Sequence, residues 1–296
     1  MVIVKPVLLI SELTKEYKNK CALSDFTMQI EKGEIVALIG ENGAGKTTLL
    51  NTICGFTKPS SGTIYFMGKD IKEQKKLDKI GILIEPAFFD YLSAEENLKY
   101  ISKLSGNSSD NKKIEELLQQ TELYDSRKKK VKSFSFGMKQ RLGLCQSLLA
   151  DVELLIFDEP FVGLDPIGKE LFKKVIISKA HEEKIPVLFS SHDLDDVEEI
   201  CDRVVMIQKG EKIVDQKIIK KKIYELRIDG IISIFEKQKL EAKDKNIHCE
   251  GSKVFFSDEK QIIDVQKILL EEGHYIVGMS IHTNNLKNLF LKGKYV

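Results

Sequence analysis

A chain of 296 residues with 42% apolar content can bury one large core, or a core plus a small second domain. Charged residues make up 31%, yet the formal net charge is only +1, so bulk electrostatics argues for neither nucleic acid nor a membrane surface. No apolar run approaches the ~20 residues needed to span a bilayer, and the opening MVIVKPVLLISEL is too short and lacks a cleavage site.

In chain order, VLLISELT and ALSDFTMQI alternate apolar and polar residues and predict antiparallel strands. EIVALIG is a buried-strand pattern that runs into a glycine-rich loop and then KTTLLNTI, a helix start. SGTIYFMGK predicts one more strand closed by a turn. From Ser93 to Leu149 the pattern becomes helical, with AEENLKYISKL and NKKIEELLQQTEL carrying apolar residues at helical spacing. Two buried strands follow, LLIFDEP and PVLFSSH, with the helical GKELFKKVIISKAHEEK between them. Strands alternating with helices predict a parallel α/β sheet whose active groups stand at the strands' carboxyl ends.

RVVMIQKGEKIVD reads as a hairpin turning at Lys209-Gly210, and QKIIKKK as a polar linker helix. Strand YELRI, helix IISIFEKQKLE, strands NIHCE and KVFFS, helix EKQIIDVQKILLEEG and strand HYIVGMSIH complete the chain. That β-α-β-β-α-β order is the split βαβ pattern of a small ferredoxin-like domain. The expected organisation is therefore a nucleotide domain over 1–215 and a small α+β accessory domain over 216–296. The cysteines (Cys21, Cys54, Cys145, Cys201, Cys249) lack paired spacing, which reads as reduced thiols in a cytosol, several of them in the core.

GENGAGKT, Gly40 to Thr47, fits a phosphate-binding loop between a strand and a helix. Gly40, Gly43 and Gly45, with Glu41, Asn42, Ala44 and Thr48, let backbone N–H groups cradle phosphate oxygens. Lys46 can reach the β- and γ-phosphates, and the Thr47 hydroxyl can ligate Mg²⁺. LLIFDE ends an apolar strand in two carboxylates, Asp158 for the Mg²⁺ shell and Glu159 to orient and polarise an attacking water. These motifs predict an ATPase with ATP and Mg²⁺ as ligands. A second anion site is written in SFSFGMKQRLGL, where Ser135 and Gly137 precede a helix whose N–H groups and dipole face outward. An ordinary helix cap at Ser133 or Ser135 is the plainer reading.

With these motifs in view, the chain from about Val7 to Asp215 resembles the ATP-binding subunit of an ABC transporter, and SFSFGMKQ resembles the signature of that family. The resemblance implies a phosphate-loop ABC ATPase fold, with a parallel core sheet, an antiparallel β subdomain and a helical subdomain. It also implies that two copies stack head to tail, each ATP held by one chain's loop and the other's Ser135, Gly137 and Met138. Tyr17 falls where the family stacks an aromatic ring on adenine; a plain strand tyrosine is the alternative. Asp165 in FVGLDP matches the loop at the dimer seam. His192 in SSHDLDD matches the switch histidine on the γ-phosphate.

Three positions depart from the family pattern. Glu85, in GILIEPAFFDYLSAEENL, stands where the family has a glutamine, and a carboxylate there suits the metal or the water rather than the γ-phosphate alone. Phe136 and Met138 replace the usual glycine and glutamine. Glu85 with AEENL and SFGMKQRLGL resembles most the branch that exports bacitracin or lantibiotic peptides. The expected partners are a second copy and a separate transmembrane permease, with no nucleic acid, and the expected place is the cytoplasm, peripheral on the inner face of the membrane. Phe88, Phe89, Tyr91 and Leu92 suit either a core or a groove for the permease's cytoplasmic helix. The alternative is a soluble ABC ATPase acting on ribosomes or nucleic acid; a single ATPase domain and a gap without sustained heptads argue against it. The basic runs RKKKVK and KIIKKK read as solvated faces.

Overall fold

The structure, a computed structural model, describes residues 5–18, 20–74, 77, 79–105, 111–218, 223–244 and 247–282. Two compact units divide it, Met1–Lys217 and Ile218–Val296. The first opens with β1 (Leu8–Tyr17) and β2 (Lys20–Ile30), paired antiparallel, before β3 (Ile35–Ile39) runs into the glycine-rich loop and α1 (Lys46–Ile53). After β4 (Ser61–Phe66), the short β5 (Lys69–Asp70) and β6 (Ile80–Leu83) come α2 (Ala94–Leu104), α3 (Asn111–Gln120) and α4 (Phe136–Ser147). Then follow β7 (Leu154–Phe157), α5 (Pro166–Ile177), β8 (Val187–Ser191), α6 (Leu194–Ile200), β9 (Arg203–Gln208) and β10 (Glu211–Lys217).

β3, β7 and β8 are buried at every residue, a pattern stable only in a sheet covered on both faces. They form the centre of a six-stranded sheet of order β10-β9-β3-β8-β7-β6, parallel except at β10. A second sheet, β2-β1-β4-β5, is antiparallel. Leu49, Leu50 and Ile53 of α1 share one buried apolar cluster with Leu8, Ile10, Phe26, Leu38 and Ile156, so the helix behind the glycine loop is anchored by both sheets. Arg203 of β9, itself buried, bonds Glu34 and Asp215 and locks the hairpin edge to the turn before β3.

α4 lies close on β6. A Cβ at Gly81 would stand 2.2 Å from the carbonyl oxygen of Ser147, and one at Gly143 would stand 2.5 Å from Leu83 Cδ1. The helical stretch from Ser93 to Leu149 is interrupted: between α3 and α4 the chain makes only two short 3₁₀ turns, Tyr124–Ser126 and Val131–Ser133. There the basic run is strapped to the start of α2, with Glu95 N–H donating to Arg127 O, Val131 N–H to Leu92 O and Lys132 N–H to Asp90 O. Those bonds use the backbone groups that a helix would need. The strand in SGTIYFMGK runs from Ser61 to Phe66 and is closed, as expected, by a turn, at Met67 (φ 53°) and Gly68 (φ 75°). Gln216 and Lys217 do not start a linker helix: they pair with Val204 and Arg203 as the end of β10, which satisfies their backbone groups. Residues 219–222 of that expected helix lie outside the described residues.

The second unit contains β11 (Ile223–Ile228), α7 (Ile234–Lys243), β12 (His248–Glu250), β13 (Lys253–Phe256), α8 (Gln261–Glu271) and β14 (Ile276–His282). Its sheet has the order β12-β13-β11-β14, antiparallel throughout. Tyr224, Leu226, Val254 and Phe256 of the sheet pack with Leu240, Val265 and Leu269 of the two helices. A capping box, Ser233 with Glu236, starts α7.

Candidate functional site: the phosphate cleft

Two glycines let the loop before α1 turn where a side chain has no room. A Cβ at Gly40 would meet the carbonyl oxygen of Ile207 at 2.3 Å, and one at Gly45 (φ 117°) would meet that of Ala22 at 2.6 Å. The turn of the β9–β10 hairpin braces the loop, Gly210 N–H donating to Ala44 O at 2.8 Å. Gly45 is the residue before α1 and offers no side-chain cap, so the first N–H groups of the helix are left for an anion. Lys46 is only 6% exposed; its ammonium donates to Gly40 O at 2.8 Å and Glu41 O at 3.4 Å and lies 3.7 Å from Glu159 Oε1.

The carboxyl ends of β7 and β8 supply the opposite wall. Thr47 Oγ1 donates to Asp158 Oδ2 at 2.8 Å. Ser190, fully buried at the end of β8, donates to Asp158 Oδ1 and accepts from Glu159 N–H at 2.8 Å. Glu159 has a left-handed backbone (φ 47°), a conformation that costs a non-glycine residue on the order of 1 kcal/mol. Its Oε2 lies 2.9 Å from Nδ1 of His192, which stands just beyond β8 with 63% of its side chain exposed. Ser190 was not among the residues singled out in the sequence. The signal was the parallel register, Phe157 opposite Phe189, which sets Asp158 beside Ser190.

These residues enclose a cleft of about 290 Å³ lined by Tyr17, Lys20, Ala22, Asn42, Gly43, Gly45, Lys46, Thr47, Thr48, Asp158 and Glu159. Tyr17, at the end of β1, turns one face to Lys15, whose ammonium lies 4.6 Å from the ring centroid. Among the described residues no group of three or more His, Cys, Asp or Glu could hold a metal alone. Thr47 with Asp158 fits Mg²⁺, which is usually held by one or two protein oxygens plus substrate phosphates.

The remaining expected site residues lie elsewhere. Glu85 (φ 45°) follows β6, is exposed, and does not line the cleft. Ser135 caps α4 by accepting Met138 N–H at 3.2 Å, and a Cβ at Gly137 would find room 3.5 Å from Gly163 O. Phe136, 58% exposed, lays its ring against Gly163, where a Cβ would stand 2.4 Å from the ring. Asp165 caps α5, accepting Gly168 N–H at 2.8 Å. None of these helix-start residues lines the cleft of the same chain. All five cysteines are free; burial pushes the thiols of Cys54 and Cys145 up to about 12, which removes them from nucleophilic chemistry.

Residues 23–162 match the ABC transporter family. A bacitracin transport ATP-binding protein of Bacillus licheniformis is 33% identical over 292 residues, 95% of each chain. A lantibiotic transport ATP-binding protein of Streptococcus pyogenes is 39% identical over 212 residues, covering 71% of this chain and 91% of that one. In fold, the chain resembles an ATP-binding cassette solved as a dimer with ADP and phosphate, with a TM-score of 0.66, 24% identity, and coverage of 71% of this chain and 98% of that one. No helix among the described residues is long and apolar enough to cross a membrane. The chain belongs to the ATP-binding proteins of ABC transporters, motor subunits that bind ATP with Mg²⁺ and hydrolyse it.

Proposed function

We propose that two copies of this chain close head to tail around two ATP molecules and drive a separate membrane subunit that exports an antimicrobial peptide. The observation that carries the reading is the separation of two anion-ready helix starts. The start of α1 opens into the cleft with Lys46 and Asp158, while Ser135 at the start of α4 lies outside it. A second copy is the simplest way to bring a Ser135 to each cleft.

In this reading Lys46 and the N–H groups from Gly40 to Thr48 hold the phosphates, Thr47 and Asp158 hold Mg²⁺, and Tyr17 stacks on the adenine. Glu159 takes a proton from the attacking water, with His192 holding the γ-phosphate beside it; Ser135 and Gly137 of the other copy stabilise charge that develops in the transition state. Glu85 faces the metal or the water only once the pair has closed. The 1–215 domain is the motor and 216–296 an accessory domain.

The membrane subunit docks at the loop before α2. Phe89 packs edge-on against Tyr91 and Tyr100, ring centroids 6.0 and 4.9 Å away, and both tyrosines are exposed. Asn97, fully buried, accepts Phe89 N–H at 2.8 Å and donates to Phe89 O at 3.1 Å, so this aromatic loop is held in place. The peptide substrate rests on the bacitracin relative, whose likeness runs through both units. The working place is then the inner face of the membrane. Glu159→Gln in saturating MgATP should give a dimer by light scattering; a monomer under those conditions would count against the sandwich. The same variant, tagged in its native cells, should co-purify with a multi-spanning protein, and recovery with ribosomes or nucleic acid would favour the soluble alternative.

A further inference from the structure

α5 begins one residue after Asp165, matched above to the loop at the dimer seam, and α6 begins two residues after His192, placed above on the γ-phosphate. Lys169 sits one turn into α5, its N–H bonded to the carbonyl of Asp165 at 2.9 Å. Its ammonium crosses to α6, 2.7 Å from Asp196 Oδ2 and 3.3 Å from Asp193 Oδ2. Asp193 caps α6 with its other oxygen, accepting Asp195 N–H at 3.0 Å. The N–H of Asp193 donates to Ser191 Oγ at 3.0 Å, and that hydroxyl bonds back to Asp193 O at 3.3 Å. His192 is thus flanked by two residues tied together through the Ser191 hydroxyl and the Asp193 backbone, with its Nδ1 2.9 Å from Glu159.

Neutralising a buried carboxylate is not what Lys169 is needed for. Lys173, one turn on, lies 3.1 Å from Asp196 Oδ1 and also bonds Glu199, so Asp196 already has a cation. Among the described residues, the ion pair that Lys169 alone makes is the one to Asp193. The bond to Asp196 holds the Lys169 ammonium above its ordinary pKa. Burial pushes the Asp193 carboxyl up, but Lys169 and the Asp195 N–H outweigh it and hold the group below the usual carboxylate range. Both partners therefore stay charged around neutral pH.

We propose that Lys169 is a positioning residue for ATP hydrolysis, holding the His192 loop through Asp193 and tying it to the α5 start at Asp165. The inference rests on the reading that His192 acts in hydrolysis. The chemistry is sensitive to such placement, because a displacement of about 1 Å can cost on the order of 10²-fold in rate.

The test is steady-state ATP hydrolysis by full-length Lys169→Met, Lys169→Arg, Asp193→Asn, His192→Ala and the double variant Lys169→Met/His192→Ala. Asn caps a helix as well as Asp does, so Asp193→Asn removes the charge and keeps the cap, which covers the case in which Lys169→Met fails to fold. Lys169→Met is expected to lower kcat about 10-fold or more with KM for ATP within about twofold, a split that marks an interaction felt in the transition state. Lys169→Arg should recover most of the loss, and Asp193→Asn should show the same split at smaller size. The double variant should be no slower than His192→Ala, since two residues acting through one group are not additive. Wild-type kcat in Lys169→Met and Asp193→Asn beside a slow His192→Ala would overturn the positioning role and leave the His192 reading intact. Losses that multiply in the double variant would overturn it as well. Wild-type kcat in His192→Ala would sink both readings together.

Discussion

The starts of α1 and α4 both read as anion sites in the sequence and treat their N–H groups differently. At α1, Gly45 contributes no cap, and the N–H groups meet a buried ammonium and two carboxylates across a cleft. At α4, Ser135 has an extended backbone, and its hydroxyl accepts Met138 N–H, so one N–H is already satisfied and Phe136 stands exposed beside it. Both ends carry the same dipole, worth roughly half a charge. What separates them is convergence: two sheets and a hairpin turn bring charged walls to the first, whereas at the second Phe136 packs on Gly163 and Gly137 lies near Leu164. A helix start becomes a site when charges from distant parts of the chain are brought to it.

The largest effect should come from the first helix start's own wall. Glu159→Gln is expected to slow hydrolysis by ~10²–10⁴ while nucleotide binding persists, since general-base help is worth about that much. Lost binding would mean that the carboxylate holds the loop through Lys46 rather than the water. Ser135→Ala tests the second start. Its kcat should fall about 10- to 100-fold with unchanged nucleotide affinity in dilute, monomeric protein, and loss of the cap should cost ~1 kcal/mol of stability. A cap-sized loss of stability with wild-type turnover would reduce Ser135 to an ordinary helix cap.

Ser190→Ala removes the hydroxyl shared by Asp158 and the Glu159 N–H. Leaving a buried donor unsatisfied costs ~1–3 kcal/mol, so a stability loss of that size and a drop in kcat of about 10-fold are expected from unfolding and turnover measurements. The smallest effect concerns a third helix start, α6. Because the folded pKa of Asp193 lies below its ordinary 3.8, its charge stabilises the fold above that value and ceases to do so as pH falls through the folded one. Unfolding of wild type and Asp193→Asn should therefore differ by a constant amount above pH ~4 and converge below it. A gap that widened in acid would reverse the sign and place the stabilising charge elsewhere.

Legibility followed sequence distance. The glycine loop could be read in GENGAGKT because its chemistry is local: positive φ at Gly43 and Gly45, then a lysine and a threonine on the next turn. The helical pattern from Ser93 was equally local, and the structure adds a cap there, Ser93 and Glu96 being three residues apart. Ser190 escaped notice because nothing beside it in the chain explains it; only the alignment of β7 with β8 puts its hydroxyl between Asp158 and Glu159. Glu85 is a different case: the left-handed turn after β6 leaves it exposed outside the cleft of its own chain, so nothing local to it explains its place either. The expected linker helix loses its first two residues for a similar reason, since pairing with β9 holds Gln216 and Lys217 in a strand.

By itself, then, the sequence determined the parts: a phosphate loop, a carboxylate pair ending an apolar strand, a capped signature helix and an alternating βα order. Tertiary structure decided which parts meet. Strand register delivered Ser190 to Asp158, Gly81 and Gly143 brought α4 down on β6, and Lys169 joined two helix starts that lie far apart in sequence. The physical reason is that spacing fixes what a residue can do locally, whereas a polar contact between distant segments exists only where close-packed sheets and helices hold both partners within about 3 Å of each other.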